Sequence, residues 1–437
     1  MKKVLITTLG CKVNQYESAS FRTGFEDAGL TVVSRGGNAD IVVINTCAVT
    51  GSAGAQSRQA LRRALRKNPQ ADIIITGCYA EIAAGELAEE KELQGRNYSI
   101  IGNSRKDRLV GQVLLDEATP GEDLLGTIAT ANEICRLPVR RFGDRSRAYL
   151  RIQDGCESFC TYCIVPFTRG PSRSLAADEV LDQALIYADQ GYKEIILTGI
   201  HIGNYGKDLS DKPTLIDLLD KLSLATPEAA YRISSLEPLE IDESLLTLMQ
   251  KRKNIQPHLH IPLQSGHDEI LASMNRRYTT EQFRGIIELC RKRLPDAAIG
   301  IDILAGFPGE TEEHFAESLA FLQSLDFNYL HVFPYSMRPG TAAAGFKNQV
   351  GQKMKDDRVA KLRILSEDKR KNFYSSQLGR SWPVIVEGRR DDQGMLQGFT
   401  ANYVAVRFAG PDSLLHDVAT VRLLSLHENH ILGESIP

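Results

Sequence analysis

The chain has 437 residues, 42% hydrophobic and 24% charged, with a formal net charge of −3. That length exceeds one ordinary core and calls for two or three domains. The mild acidity gives no overall nucleic-acid signal, and no run approaches the ~18 apolar residues of a membrane helix.

The opening run Met1-Lys2-Lys3-Val4-Leu5-Ile6 is too short and too strand-like for a signal peptide. A cytoplasmic setting is expected, where the eight cysteines read as metal or catalytic residues before disulfides. Residues 1–120 alternate β-rich runs with helical stretches; the runs are Val4–Thr8, Ile41–Asn45, Ile73–Thr76 and Tyr98–Ile101. Continuous Val/Ile runs suit strands buried on both faces, so a doubly wound parallel sheet is predicted. The first three strands each end at a cysteine: Cys11, Cys47 and Cys78. Loops at the carboxyl edge of a parallel sheet lie side by side and form its ligand crevice. Three distant thiols can therefore converge there; the alternative is three small buried thiols, a common fate of free cysteine.

Residues 121–146 read as a linker, opened by Gly121 and Gly126 and closed by Pro138 and Gly143, with Cys135 an incidental thiol. Residues 147–375 form the central unit, and six strand–helix pairs are legible in it. Its strands are predicted at Tyr149–Gln153, Glu194–Thr198, Arg232–Leu236, His258–Pro262, Ile299–Leu304 and Tyr329–Phe333. Six pairs suggest an open, partial form of the parallel α/β barrel, with functional groups on the loops after the strands. His258 and His260 share one strand face, and a lining role is expected for them before metal binding. Cys290 reads as helix core. No phosphate-binding Walker loop or dinucleotide-binding G-x-G-x-x-G occurs.

Directly after the first barrel strand stands Cys156-Glu157-Ser158-Phe159-Cys160-Thr161-Tyr162-Cys163, a C-x3-C-x2-C run. Soft thiolates at this spacing select iron–sulfur clusters, zinc or cuprous copper. A [4Fe-4S] cluster usually takes four cysteines; three leave one iron open to chelate S-adenosylmethionine and pass it an electron, which yields a 5′-deoxyadenosyl radical. Structural zinc would need a fourth ligand and prefers paired C-x2-C units. Arg169 and Arg173, just beyond the loop, are placed to hold an anionic substrate. Arg58, Arg62, Arg63, Arg66 and Lys67, and then Arg136, Arg140, Arg141, Arg145, Arg147 and Arg151, are either phosphate contacts or solvated faces.

Residues 376–437 change to short β runs at Trp382–Glu387, Tyr403–Phe408 and Val418–Leu424, punctuated by glycines. A small all-β barrel is predicted, a class that often binds oligonucleotides, although acidic residues outnumber its arginines.

Together these motifs resemble the radical S-adenosylmethionine methylthiotransferases over essentially the whole chain. The resemblance implies an N-terminal cluster domain, a radical barrel and a C-terminal RNA-binding TRAM barrel. It implies two [4Fe-4S] clusters, one on Cys11, Cys47 and Cys78 and one on Cys156, Cys160 and Cys163, with S-adenosylmethionine at the second. Thr8-Leu9-Gly10-Cys11-Lys12-Val13-Asn14-Gln15 and Gln153-Asp154-Gly155-Cys156 look like the branch acting on threonylcarbamoyl-adenosine in tRNA. The implied reaction adds a methylthio group to carbon 2 of that adenine, in the tRNA anticodon loop. Position alone nominates Glu237 and Gln264 as contacts to S-adenosylmethionine. The alternatives are an isopentenyl-adenosine tRNA or ribosomal-protein aspartate substrate, an N-terminal cluster that only relays electrons, and an RNA-binding protein holding structural zinc. If the transfer reaction is right, both clusters must face one cavity, with the N-terminal sheet capping the open side of the barrel.

Overall fold

The computed structural model describes residues 1–33, 38–114, 123–143 and 145–436. The chain begins with β1 (Lys3–Thr8), β2 (Thr31–Val33), β3 (Ile41–Thr46), β4 (Asp72–Gly77), β5 (Tyr98–Ile101) and β6 (Asp123–Leu124). They form one sheet in the order β2-β1-β3-β4-β5-β6, and every pairing is parallel. The order reverses beside β1, so the crevice of this sheet opens at the ends of β1 and β3. All six residues of β3 are buried, as a strand covered on both faces must be.

Strands β2 and β6 lie outside the predicted set; at three and two residues they carry too little pattern to be read. Strand β6 falls in the stretch read as a linker, and that stretch is packed. Leu137, Val139 and Phe142 are buried, Val139 donates its amide to Gln183 Oε1 at 3.0 Å, and Arg140 donates its amide to Thr23 Oγ1 at 3.2 Å. Its prolines and glycines mark irregular backbone, which side chains of both neighbouring units then cover.

The central unit contains β7 (Arg147–Arg151), the short pair β8 (Gln153–Asp154) and β9 (Arg173–Ser174), then β10 (Glu194–Thr198), β11 (Ala230–Ile233), β12 (His258–Gln264), β13 (Ala298–Ala305) and β14 (Tyr329–Pro334). Two parallel triplets, β11-β10-β7 and β12-β13-β14, are joined by the Leu236 amide donating to the His260 carbonyl at 3.0 Å. Strands β7 and β14 are the free edges, so six strands make the open barrel that the sequence predicts. Alternation along β13 turns Ile299, Ile301 and Ile303 to the outer helices and Asp302 to the lumen. Helix starts follow side-chain chemistry: Thr214 with Asp217, and Thr279 with Gln282, form capping boxes. Cys290 is buried core, as expected.

A 25-residue helix, Gln352–Ser376, leads to β15 (Ser381–Val386), β16 (Leu396–Thr400), β17 (Ala405–Ala409), β18 (Val418–His427) and β19 (His430–Ser435), a closed barrel in the order β15-β16-β17-β19-β18. Val384, Leu396, Val406, Phe408, Val421 and Ile431 fill it; each such side chain contributes about 1.5–3 kcal/mol on burial. This barrel seats on the strand starts of the central unit. Tyr403 stands 4.7 Å from the His258 ring and 4.7 Å from the Arg232 guanidinium, and Arg147 lies 5.0 Å over Phe399. The lumen thus has a floor made partly by the C-terminal domain. At the opposite side, helix α1 (Lys12–Asp27) packs against the edge strand β7, which sets the N-terminal sheet at the open side of the barrel.

Candidate functional site

Strands β1, β3 and β4 are neighbours, and their ends deliver Cys11, Cys47 and Cys78 to one edge. Cys11 caps α1, and Cys78 opens the short helix α2 (Cys78–Ile82). Gly10 has φ +89°, and a Cβ there would stand 2.5 Å from Cys47 Sγ, so only glycine lets the first loop close on the second. Asn14 pins both loops, donating from Nδ2 to the carbonyls of Leu9 at 2.7 Å and Thr46 at 2.9 Å.

Arg169 ties the three thiol loops together and joins them to the barrel. Its Nε donates to Cys78 Sγ at 3.2 Å and its Nη2 to Asn14 Oδ1 at 2.7 Å. That same Oδ1 accepts from Cys11 Sγ at 3.7 Å. Its Nη1 reaches Glu17 Oε1 at 2.5 Å and Asp154 Oδ2 at 3.2 Å. Lys106 Nζ completes the group on Glu17 Oε2 at 2.5 Å. Arg169, Glu17 and Lys106 are all buried. Burial opposes ionisation of Glu17, but the charges of Arg169 and Lys106 outweigh it and hold the carboxyl well below its usual range. The sequence reading gave Arg169 and Arg173 to an anionic substrate. The structure corrects this: both are interior, and Arg173 donates to the Arg169 carbonyl at 2.5 Å.

The second thiol set follows Asp154 directly. Gly155, at φ +79°, lies so close to the Pro171 carbonyl that a Cβ would collide with it. The loop is held from both sides: Asn275 Nδ2 donates to the carbonyls of Ser158 and Phe159 at 3.1 Å each, and Thr161 Oγ1 donates to the Ser273 carbonyl at 2.8 Å. Asn275 supports a Phe159 that itself adopts φ +46°, a conformation costly outside glycine. The Phe159 ring, 54% exposed, and that of Phe167, 48% exposed, stand 6.1 Å apart beside the loop.

Burial pushes the Cys47 thiol up to about 11 and that of Cys163 up to about 12. Cys156 moves the other way: burial raises it, but hydrogen bonds from His201 and Ser158 outweigh burial and lower it. His201 places its Nδ1 3.7 Å from Cys156 Sγ. It is committed elsewhere, with Nε2 2.6 Å from Glu240 Oε1 and Nδ1 3.0 Å from Asn204 Nδ2. Nor does a fourth cysteine join either set. Cys135 donates to the Asn103 carbonyl at 3.4 Å, and Cys290 is helix core. Two groups of three thiols suit cubane clusters with one open iron each, and leave a zinc tetrahedron one ligand short.

Glu237 lines a cleft with Cys160, His201 and Arg276. It forms an ion pair with Arg276, whose Nη1 also donates to Cys160 Sγ at 3.4 Å. Gln264 ends β12 at φ +69° and is not among the residues lining that cleft. The position of Glu237 was legible as a strand-end loop; Arg276, which couples it to the thiol loop, carried no motif. Several members of the basic runs are taken up in ion pairs, most of them at the surface. Arg62 pairs with Glu90, Arg136 with Glu179, Arg140 with Asp27 and Arg147 with Glu194 and Glu387, while Arg151 is buried. Arg63, Arg66, Lys67 and Arg141 are exposed as well.

Comparison with known proteins agrees with this architecture. Residues 3–95 match the family described as "Uncharacterized protein family UPF0004", and residues 150–322 match the Radical SAM superfamily. The threonylcarbamoyladenosine tRNA methylthiotransferase MtaB of Bacillus subtilis is 38% identical over 97% of this chain and 94% of its own. The tRNA-2-methylthio-N(6)-dimethylallyladenosine synthase of Fusobacterium nucleatum is 32% identical over 100% of both chains. Among solved structures, the radical S-adenosylmethionine methyltransferase TsrM from Kitasatospora setae superposes with a TM-score of 0.56 at 15% identity, covering 78% of this chain and 77% of that one; this likeness shows the fold. With full-length relatives at this identity, the chain belongs to the radical SAM tRNA methylthiotransferase family, alongside the threonylcarbamoyladenosine tRNA methylthiotransferases.

Proposed function

We propose that this protein adds a methylthio group to carbon 2 of threonylcarbamoyl-adenosine beside the anticodon of tRNA. The observation that carries the reading is the placement of two three-thiol sets on either side of one buried arginine. Arg169 touches Cys78 directly and Asp154, two residues before Cys156. Cys156, Cys160 and Cys163 would hold one [4Fe-4S] cluster, and Cys11, Cys47 and Cys78 the other. When bound, the first supplies a radical from S-adenosylmethionine and the second supplies the sulfur.

The residues of this chain then have definable tasks. The Arg169–Glu17–Asp154 group fixes the separation of the two thiol sets, and a transfer between them depends on that distance. Glu237, held by Arg276 beside Cys160, is the proposed contact to S-adenosylmethionine. Gln264 remains a second candidate for that role, on the strand-end position alone. Phe159 and Phe167 offer exposed ring faces on which an unpaired base can stack. An anticodon-loop base is already unpaired, so presenting it costs less than extrusion from a duplex.

The test uses the full chain, purified without oxygen and loaded with iron and sulfide. It is given S-adenosylmethionine, a reductant and an anticodon stem-loop carrying either threonylcarbamoyl-adenosine or isopentenyl-adenosine. The proposal expects a methylthio nucleoside from the first stem-loop only. Product from the second alone would overturn the substrate assignment. A colourless protein that holds zinc would overturn the chemistry.

A further inference from the structure

The last barrel strand carries two exposed side chains on its lumen face. Tyr329, His331 and Phe333 alternate to one side of β14. Leu330 and Val332 turn to the other, where Ser366 of the helix Gln352–Ser376 hydrogen-bonds the backbone of Leu330. Register fixes which side is the lumen: Asp302 of β13 pairs with His331, and Leu304 with Phe333. Exposure rises along this face. Tyr329 is half-buried, with its hydroxyl 2.7 Å from His258 Nε2, whereas His331 is exposed and Phe333 is 43% exposed. No ring–ring or cation–π contact engages Phe333 among the described residues.

His331 is oriented by the groups beside it. Ser235 Oγ lies 2.9 Å from His260 Nδ1, His260 Nε2 lies 2.6 Å from Asp302 Oδ1, and His331 Nδ1 lies 3.3 Å from that same oxygen. Burial opposes ionisation of Asp302, but the two imidazoles outweigh it and hold the carboxyl well below its usual range. Asp302 therefore accepts from both rings. The proton of a neutral His331 then sits on Nδ1, and Nε2 presents a lone pair. No group of the described residues engages that Nε2. The backbone beyond Phe333 is fastened to both thiol loops. Ser336 Oγ accepts from the amide of Gly51, four residues after Cys47, at 2.9 Å. Arg338 Nη1 donates to the carbonyl of Tyr162, the residue before Cys163, at 2.9 Å. Phe333 is three residues from the first tie, a reach of about 11 Å at most. A ligand seated on its ring therefore lies beside the span between the two thiol sets.

We propose that Phe333 and His331 seat the adenine that is modified, with the Phe333 ring stacked on the base and His331 Nε2 accepting its exocyclic N–H. The inference rests on the function proposed above and deepens it by naming where the base lies. A purine with one substituent on its exocyclic nitrogen keeps one N–H there, which suits a bare imidazole nitrogen. Every base has a π-face, and stacking on an aromatic side chain is a general means of holding an unpaired one. Two residues apart on one strand face, the two side chains are spaced about 6.6 Å along it, so a base-sized ligand can touch both. Phe159 and Phe167, at the thiol loop, are left for a neighbouring base.

The test measures Kd by fluorescence anisotropy for two labelled anticodon stem-loops on the iron-loaded full chain. One carries threonylcarbamoyl-adenosine, and the other is abasic at that position. The wild-type protein should bind the first about 5- to 150-fold more tightly, the range of one stacked base. Phe333→Ala should lose that factor on the base-bearing stem-loop and nothing on the abasic one, since each change removes one partner of the same pair. Phe333→Trp should restore the preference. His331→Ala should lose about 2- to 10-fold, again on the base-bearing stem-loop only, the range of one neutral hydrogen bond. If Phe333→Ala fails to fold or loses iron, Phe333→Leu, which keeps the bulk and removes the ring, carries the same comparison. Equal losses on both stem-loops, or no preference for the base in the wild-type protein, would overturn the proposal. Weakened S-adenosylmethionine binding with RNA binding unchanged would assign the ring to that cofactor and overturn it as well. A preserved base preference without methylthio product from the wild-type protein would instead overturn the functional reading beneath it.

Discussion

The six cysteines divide by the chemistry they would support, and single substitutions separate the two tasks. Cys156→Ala, Cys160→Ala or Cys163→Ala should abolish S-adenosylmethionine cleavage, read as 5′-deoxyadenosine formed. Cys11→Ala, Cys47→Ala or Cys78→Ala should spare cleavage and abolish methylthio transfer, while iron falls by about four atoms per chain. Slowed cleavage in Cys11→Ala would instead favour an N-terminal cluster that relays electrons. Arg169 is the other decisive residue. Replacing it by Met leaves Glu17 and Asp154 without their shared partner, and removal of one member of a buried ionic group costs about 3–5 kcal/mol. Urea unfolding of Arg169→Met checks this; a loss below about 1 kcal/mol would mean that the group is not a structural tie.

At the scale of elements, the thiol loops were legible because strand-end cysteines and the C-x3-C-x2-C spacing are local signals. Their fastening was not. Asn14, Glu17 and Lys106 look like ordinary helix polar residues until tertiary packing buries them. The arginines between 136 and 151 could be read as phosphate contacts or as a solvated face, and their pairing was hidden in the sequence. Their acidic partners, Glu179, Asp27, Glu194 and Glu387, come from distant segments. Burial also gives the group a pH dependence. The Glu17 carboxyl lies well below its ordinary value of 4.5, so its stabilisation is complete above that pH and is lost as pH falls through the lower, folded value. The stability gap between the wild-type protein and Glu17→Gln should therefore be widest near neutrality and narrow in acid. A gap constant from pH 7 to pH 3 would show that Glu17 is not the ionised partner.

Across the whole molecule, three units are assembled around one lumen. The N-terminal sheet stands at the open edge, the thiol loops lie above, and Tyr403 and Phe399 of the C-terminal barrel form the floor. The open six-strand barrel and the small β-barrel were legible from strand spacing, whereas their docking was not, because His258 and Arg232 carry no sign in sequence that an aromatic ring from over 140 residues away will cover them. Tyr403→Ala should therefore destabilise the central unit as well as the C-terminal one, by about 2–3 kcal/mol for the lost ring and its cation–π contact, seen as a shared drop in thermal midpoint. Separate transitions, with the central unit unchanged, would show that the floor is not structural. No described helix is long and apolar enough to cross a membrane.

The central claim concerns a nucleoside, so mass spectrometry of tRNA nucleosides from cells with and without this gene tests it most directly. The account predicts that the methylthio form of threonylcarbamoyl-adenosine disappears with the gene and that its unmodified parent accumulates. An unchanged level of that nucleoside, with loss of the methylthio isopentenyl form instead, would contradict it.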